Sequence, residues 1–368
     1  MEKMNNSQNT AKGILICAVI FFHSTICVDY SALANFSIIY FIFPCVIGVF
    51  FFYSGYNYTP KRRTARESIK RRTKQLLLPL LIIWIISTIL VVPMLLLTKS
   101  ETLYNIKQSY IYVAMSEPWA MLSGMSISDC NFDLVLCIQS GWFLYTLWIV
   151  SCIFYLIVDY INEKLSRHII TVLLLLFISF LMGKFIGTYL PFVVNCYPVV
   201  LAIMLTSAYL KKSNFLDKEK STAGIFTKVM VFELIIILIS AICYFVFGAN
   251  VVGSLMGGKF NDTITGFDAF IGYIFAIIGT YVIHNVSKLI RKIPVAGSLI
   301  EKLGENSAYI YISHGIVISY IDTLIFKRNH EVFNAYVQSS IYLFLAIVIY
   351  IVLYKIFKRG KIKNESRN

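Results

Sequence analysis

From Lys12 to Tyr354 the chain alternates long apolar runs with short polar interruptions, and the interruptions are unequal in charge. The runs predict ten membrane helices, at approximately 13–30, 36–56, 77–98, 139–158, 168–188, 191–210, 228–248, 266–286, 307–326 and 335–356. Each holds about 18–22 residues, enough to cross a hydrocarbon core of ~30 Å at ~1.5 Å per residue. Prolines 44, 79, 93, 191 and 198 fall within or at the ends of these runs, where membrane helices tolerate them. No stretch between runs is long enough for a soluble domain, and no internal repeat or low-complexity tract is visible. The expected fold class is therefore an all-α integral membrane bundle of about ten helices, a single domain over 1–368. The lysines near the N-terminus followed by an apolar run imitate a signal peptide. No small-residue cleavage site follows, so the run is read as a retained helix.

Composition agrees with this pattern. Hydrophobic residues make up 58% and charged residues 14%, with mean hydropathy +0.73; an average soluble domain is about a quarter charged. The net charge of +14 invites a nucleic-acid reading, which the placement of the charges argues against. With ten spans and both ends inside, only Lys99, Lys107, Lys184, Lys259, Lys327 and Arg328 face outward; the other 27 of the 33 basic residues lie on inner segments or inner helix ends. The positive-inside rule accounts for such a bias, with both termini cytoplasmic. The cysteines are mostly isolated in apolar runs, with no CxxC and no zinc-ligand spacing, so no metal site is expected. Cys130 and Cys137 share one outer loop and could pair, although a chance occurrence there is the plainer reading.

Against this background the ionisable residues inside the runs stand out, because burying such a group in a span is costly. Lys12 and His23 are eleven residues apart, three helical turns plus roughly 20°, so they share a face about 16 Å apart along the axis. The cation would sit at the inner surface and the imidazole near mid-membrane. Ser307, Tyr311 and His314 form an i, i+4, i+7 stripe on the ninth expected helix, with His314 about 10 Å beyond Ser307. Two histidines at similar depth on helices running the same way can face one cavity. Glu233, early in the seventh helix, is a third buried ionisable group.

Three more segments bear on chemistry. Phe50-Phe-Phe-Tyr-Ser-Gly-Tyr56 closes the second helix on the inside, and its Ser54-Gly55 pair allows close backbone approach. Lys61 to Lys74 carries eight cations and one acid, suited to anionic lipid headgroups or a soluble polyanion. Gly141-Trp-Phe-Leu-Tyr145 opens the fourth helix on the outside, where an aromatic belt is expected. Each has a plainer reading as packing, lipid anchoring or interface.

These segments, in this order, resemble the acyltransferase-3 family of bacterial membrane acyltransferases. Lys12 to His23 is similar to that family's Arg or Lys, ten residues, then His. Phe51-Phe-Tyr-Ser-Gly-Tyr56 resembles its FF-x-x-SG-[YF] run, shorter by one residue. Arg71-Arg-Thr-Lys74 resembles its Arg-x-x-Arg, with Lys in the second place and a longer gap to Pro79. Trp142-Phe-Leu144 and Leu303 to His314 match its WFL and LG-x-x-S…Y-x-x-H segments. The resemblance runs from Lys12 to about Tyr354 and is to the stand-alone members, without an added extracytoplasmic hydrolase-like domain.

The resemblance implies transfer of an acyl group, most often acetyl, from cytoplasmic acyl-CoA to a hydroxyl outside, usually on a cell-surface glycan. Acyl-CoA is then a co-substrate, and no bound cofactor is expected. Lys12, Arg71, Arg72 and Lys74 would dock the CoA polyanion. His23 would act as general base or take the acyl group itself, with His314 and Tyr311 orienting it or steadying the oxyanion. Ser54, Trp142 and Glu233 are supporting candidates. Expected partners are membrane lipids, acyl-CoA and the glycan acceptor, without nucleic acid; self-association is compatible with the sequence. The expected location is the cell membrane, with many passes. The outer loop 99–138, with Glu117, Trp119, Asp129 and Asp133, would shape acceptor choice. A proton-coupled transporter or flippase for a glycan or small molecule is the alternative that buried histidines and a glutamate would also suit, although the inverted repeat common in transporters is not visible.

Overall fold

The computed structural model describes residues 6–28, 46–60, 63–97, 141–185, 194, 196–217, 221–247, 268–326 and 334–365. Regular structure among them is helical throughout. Eleven α-helices are described: α1 (Asn6–Val28), α2 (Val46–Tyr56), α3 (Ala65–Leu97), α4 (Gly141–Ile161), α5 (Leu165–Phe185), α6 (Tyr197–Lys211), α7 (Thr222–Phe247), α8 (Asp268–Ile290), α9 (Pro294–Glu305), α10 (Ser307–Ile321) and α11 (Ala335–Glu365). Each expected run overlaps one of them, the second only over Val46–Tyr56, and α10 continues into a π-helical turn at Asp322–Phe326. By length and composition, Phe143–Ile161, Leu165–Met182, Thr222–Ile239, Ala269–Ile290 and Ala335–Val352 can each cross a membrane; Ile47–Tyr56, Tyr197–Lys211 and Ser307–Ile318 are shorter apolar helices.

The addition is α9. The sequence reading leaves 287–306 as an inner loop, but Pro294 sits at the first helical position of a 12-residue helix, where its fixed φ and missing N–H cost nothing. α9 packs on α1 more extensively than does any other helix pair. The approach needs glycine on both sides. A Cβ on Gly304 would stand 1.6 Å from the Asn9 carbonyl oxygen, and one on Gly13 would stand 2.0 Å from that of Ile300. The N-terminal turns of α1 are correspondingly buried although polar: Ser7, Gln8, Asn9 and Thr10 are all under 7% exposed.

α6 is the hub. Every residue from Val199 to Ala208 is buried, the pattern of a helix surrounded by others. It packs on α2, α4, α5 and α8. At Gly55, α2 comes so close to α6 that a Cβ would lie 2.2 Å from the Met204 carbonyl oxygen, which bears out the close approach expected of Ser54-Gly55. The outer helices instead turn apolar stripes outward: Leu78, Ile82, Ile85 and Ile89 on α3, Ile170, Leu173 and Phe177 on α5, Phe344, Val348 and Val352 on α11. Helical spacing of exposed large apolar side chains on a chain this hydrophobic is the mark of lipid-facing surface.

α3 holds 33 residues, about 50 Å of helix, more than a bilayer core needs. Its first turns carry five of the cluster's cations, Arg66, Lys70, Arg71, Arg72 and Lys74. They are started by a reciprocal cap: the Thr64 backbone N–H donates to the Glu67 carboxylate at 2.9 Å, and the Glu67 N–H donates to the Thr64 hydroxyl at 3.2 Å, a capping box. Thr64 thereby holds the Glu67 carboxyl below its usual range, its backbone N–H contributing most and its hydroxyl next.

Candidate functional site

α1, α2, the start of α3, α4 and the start of α10 enclose a cavity of about 580 Å³. Five cations line it, Lys12, Arg63, Arg71, Arg72 and Lys211, and no carboxylate is among its described lining residues. One-signed charge in a concave, partly apolar site concentrates anions. The cavity is a consequence of how the cations are held. Arg72 is half-buried and donates to the Ser54 hydroxyl at 2.7 Å and to the Ser151 hydroxyl at 3.4 Å; neutral acceptors fix the fork and leave its charge uncompensated. Lys211 donates to the Tyr58 carbonyl at 2.8 Å. The Lys12 ammonium lies 6.0 Å from the Tyr53 ring centroid, within cation–π range. Burial, then a hydrogen bond to Asp159, pushes the Tyr58 phenol up, so this lining group stays neutral.

The cavity reaches Ser307 and Tyr311 on α10. Tyr311 is where it meets the histidines. The Tyr311 ring packs on Phe143 of α4 at 4.9 Å between centroids and on His314 at 5.6 Å. His314 in turn lies 4.8 Å from His23, the rings tilted by 51°. His314 is 1% exposed, and His23 is half-buried. Lys12 and His23 therefore stand at the two ends of one continuous helix, the cation in the cavity wall and the imidazole beyond it, as eleven residues on one face require. Because Lys12 and Ser307 share the cavity and the two histidines share a contact further along, α1 and α10 run in the same sense.

Of the sequence candidates, the structure brings His23, His314 and Tyr311 together, and joins Lys12, Arg71, Arg72 and Ser54 around the cavity. Lys74 is exposed and is not among the lining residues. Glu233 sits on α7, which packs against α8; it does not line the cavity. Trp142 lies in the first turn of α4, and its side chain lies outside the described residues. Cys130, Cys137 and the loop 99–138 also lie outside them. Among the described residues no three His, Cys, Asp or Glu side chains gather as a metal site would require.

Sequence reasoning passed over several lining groups. Arg63 was one of eight cations with no signal to separate it from its neighbours, and Lys211 read as a topology charge. Tyr58, just past the end of α2, and Tyr155, within α4, also line the cavity, which spacing cannot show. His284 is different. It lies in the eighth expected run, is fully buried, and its Nδ1 pairs with the Tyr53 hydroxyl at 3.2 Å. The rule that flagged His23 and His314 would have flagged it too.

Comparison with known proteins finds one family: the model of the acyltransferase-3 family, described as an acyltransferase domain, matches residues 5–355. Neither the curated proteins nor the solved structures provide a match. The match covers nearly the whole chain, every cavity residue and both paired histidines. With a bundle of apolar helices around an anion-attracting cavity that ends against a histidine pair, the chain belongs to the acyltransferase-3 family of membrane acyltransferases.

Proposed function

We propose that this protein moves an acyl group, acetyl in the simplest case, from cytoplasmic acyl-CoA to a hydroxyl of an extracytoplasmic glycan. The observation that carries the reading is the continuity of the site: a cavity lined by five cations ends at Tyr311, whose ring touches His314, which packs on His23. In this reading the bundle has ten spans with both termini cytoplasmic and sits in the plasma membrane, so the cavity opens to the side where the polyanionic CoA is found. The phosphates of the donor meet Arg63, Arg71, Arg72 and Lys211 at its mouth. The uncharged pantetheine arm follows the wall past Tyr53 and Phe143 toward Tyr311. The thioester then lies near the histidine pair, which supplies the base for the acceptor hydroxyl. Proton transfer by a positioned histidine contributes typically 10²–10⁴-fold, and a dry site strengthens every dipole aimed at the developing oxyanion.

The test is turnover of acetyl-CoA by the purified full chain in detergent, followed as free thiol, with mass spectrometry of surface glycans from cells with and without the protein. Wild type is expected to release thiol, and His23→Ala to abolish release while still inserting and folding. A folded His23→Ala protein with normal turnover refutes the assignment. Absence of turnover by wild type refutes the donor.

A further inference from the structure

We infer that His314, through Nε2, is the atom that takes the proton from the acceptor, and that His23 is its partner rather than the base. The inference rests on the acyltransferase reading and deepens it. His314 Nδ1 lies 2.6 Å from the backbone carbonyl oxygen of Tyr311. A carbonyl oxygen can only accept, so Nδ1 carries the hydrogen and donates it. A neutral imidazole has one N–H, which leaves the lone pair on Nε2. That atom is buried and has no hydrogen-bond partner among the described residues. Buried polar atoms are nearly always paired, and an exception calls for an explanation. Here the explanation is functional: the lone pair is kept for a proton that arrives with the substrate.

The surroundings agree. The ring is wedged between His23 at 4.8 Å and the ring of Tyr311, which also lines the donor cavity. Fixing a histidine tautomer through a hydrogen bond to its other nitrogen is how a base is aimed. The Tyr311 carbonyl does this for His314, whereas no described contact selects a tautomer for His23. The step balances without any further reagent. The acceptor O–H proton passes to Nε2 as the oxygen bonds the acyl carbon. The C–S bond breaks with its electron pair on sulfur, and the proton on Nε2 is passed to that thiolate, giving free CoA.

The plain alternative is that His314 only back-bonds its own helix. His314→Asn separates the two, because asparagine keeps an N–H near the place of Nδ1 and has nothing in place of the Nε2 lone pair. With acetyl-CoA as the probe, His314→Asn is expected to lose at least 50-fold in kcat with KM within twofold of wild type, inside the usual range for loss of a general base. A smaller loss, or a rise in KM with kcat kept, overturns the inference while leaving the donor reading standing. Absence of wild-type turnover overturns both. A second measurement does not depend on the variant's folding. In ¹⁵N-histidine-labelled wild type, the His314 ring should show a protonated Nδ1 and a bare Nε2. A protonated Nε2 with a bare Nδ1 overturns the inference.

Discussion

Gly304→Ala is the sharpest test of how the fold positions the site. The added Cβ would stand 1.6 Å from the Asn9 carbonyl oxygen and 2.8 Å from the Gly13 nitrogen. Carbon and oxygen rest at about 3.3 Å or more, so α1 and α9 must part by roughly 1.7 Å or more along this line. Both obstacles are backbone, and no side-chain rotation relieves them. Overpacking of a tight core costs about 1–3 kcal/mol, occasionally more, and separation of two helices belongs at the upper end. Lys12 directly precedes Gly13 and Ser307 follows Gly304 by one turn, so the displacement also pulls two cavity walls apart. Gly48→Ala is the control, since its Cβ would meet first the Ala276 Cβ, at 2.7 Å, and asks for a smaller shift. Thermal unfolding in detergent and acetyl-CoA turnover should rank the two the same way: Gly304→Ala melts lower and has the higher KM. If Gly304→Ala melts like wild type, or Gly48→Ala is the worse of the pair, the close approach of α1 and α9 is not what holds the site.

Three further outcomes follow from particular contacts. Arg72→Lys should raise the KM for acetyl-CoA by about five- to tenfold, the equivalent of one net hydrogen bond at ~1–1.4 kcal/mol, because an ammonium cannot span Ser54 and Ser151 as the guanidinium fork does; Ser54→Ala should move it in the same direction by less, and wild-type values in both would remove the role assigned to that fork. Arg71→Gln should raise KM several-fold whereas Lys74→Gln, on an exposed position away from the cavity, leaves it near wild type; steady-state kinetics giving the reverse order would show that the cavity is not where the donor's phosphates bind. Glu67 contributes stability through its capping box, and its carboxyl lies below the usual value because Thr64 binds the anion. That contribution is complete above the unfolded carboxylate value and fades as pH falls through the folded one, so Glu67→Gln should flatten the acid limb of the stability–pH curve; superimposable acid limbs would contradict the cap.

The helices themselves were legible because the property that makes a membrane helix is local. A run of apolar residues long enough to cross hydrocarbon has to satisfy its backbone within itself, whatever its neighbours do, and each expected run overlaps a described helix, five of them long and apolar enough to span over the described residues. The same local logic made Lys12, His23 and the Ser307–His314 stripe visible, since a titratable group in such a run is conspicuous. α9 was missed for the converse reason: it is short and mixed in polarity, so it is no membrane run, although Pro294 at its first position was a local helix signal; what no single window contains is its packing on α1 through Gly13 and Gly304. Likewise, Arg71 and Lys74 look equivalent at three residues' spacing, yet one lines the cavity and the other does not, because a difference of about 60° around a helix matters only once neighbouring helices are in place. The meeting of His23 with His314, nearly the length of the chain away, was decided by the packing of α1 beside α10 in a common direction.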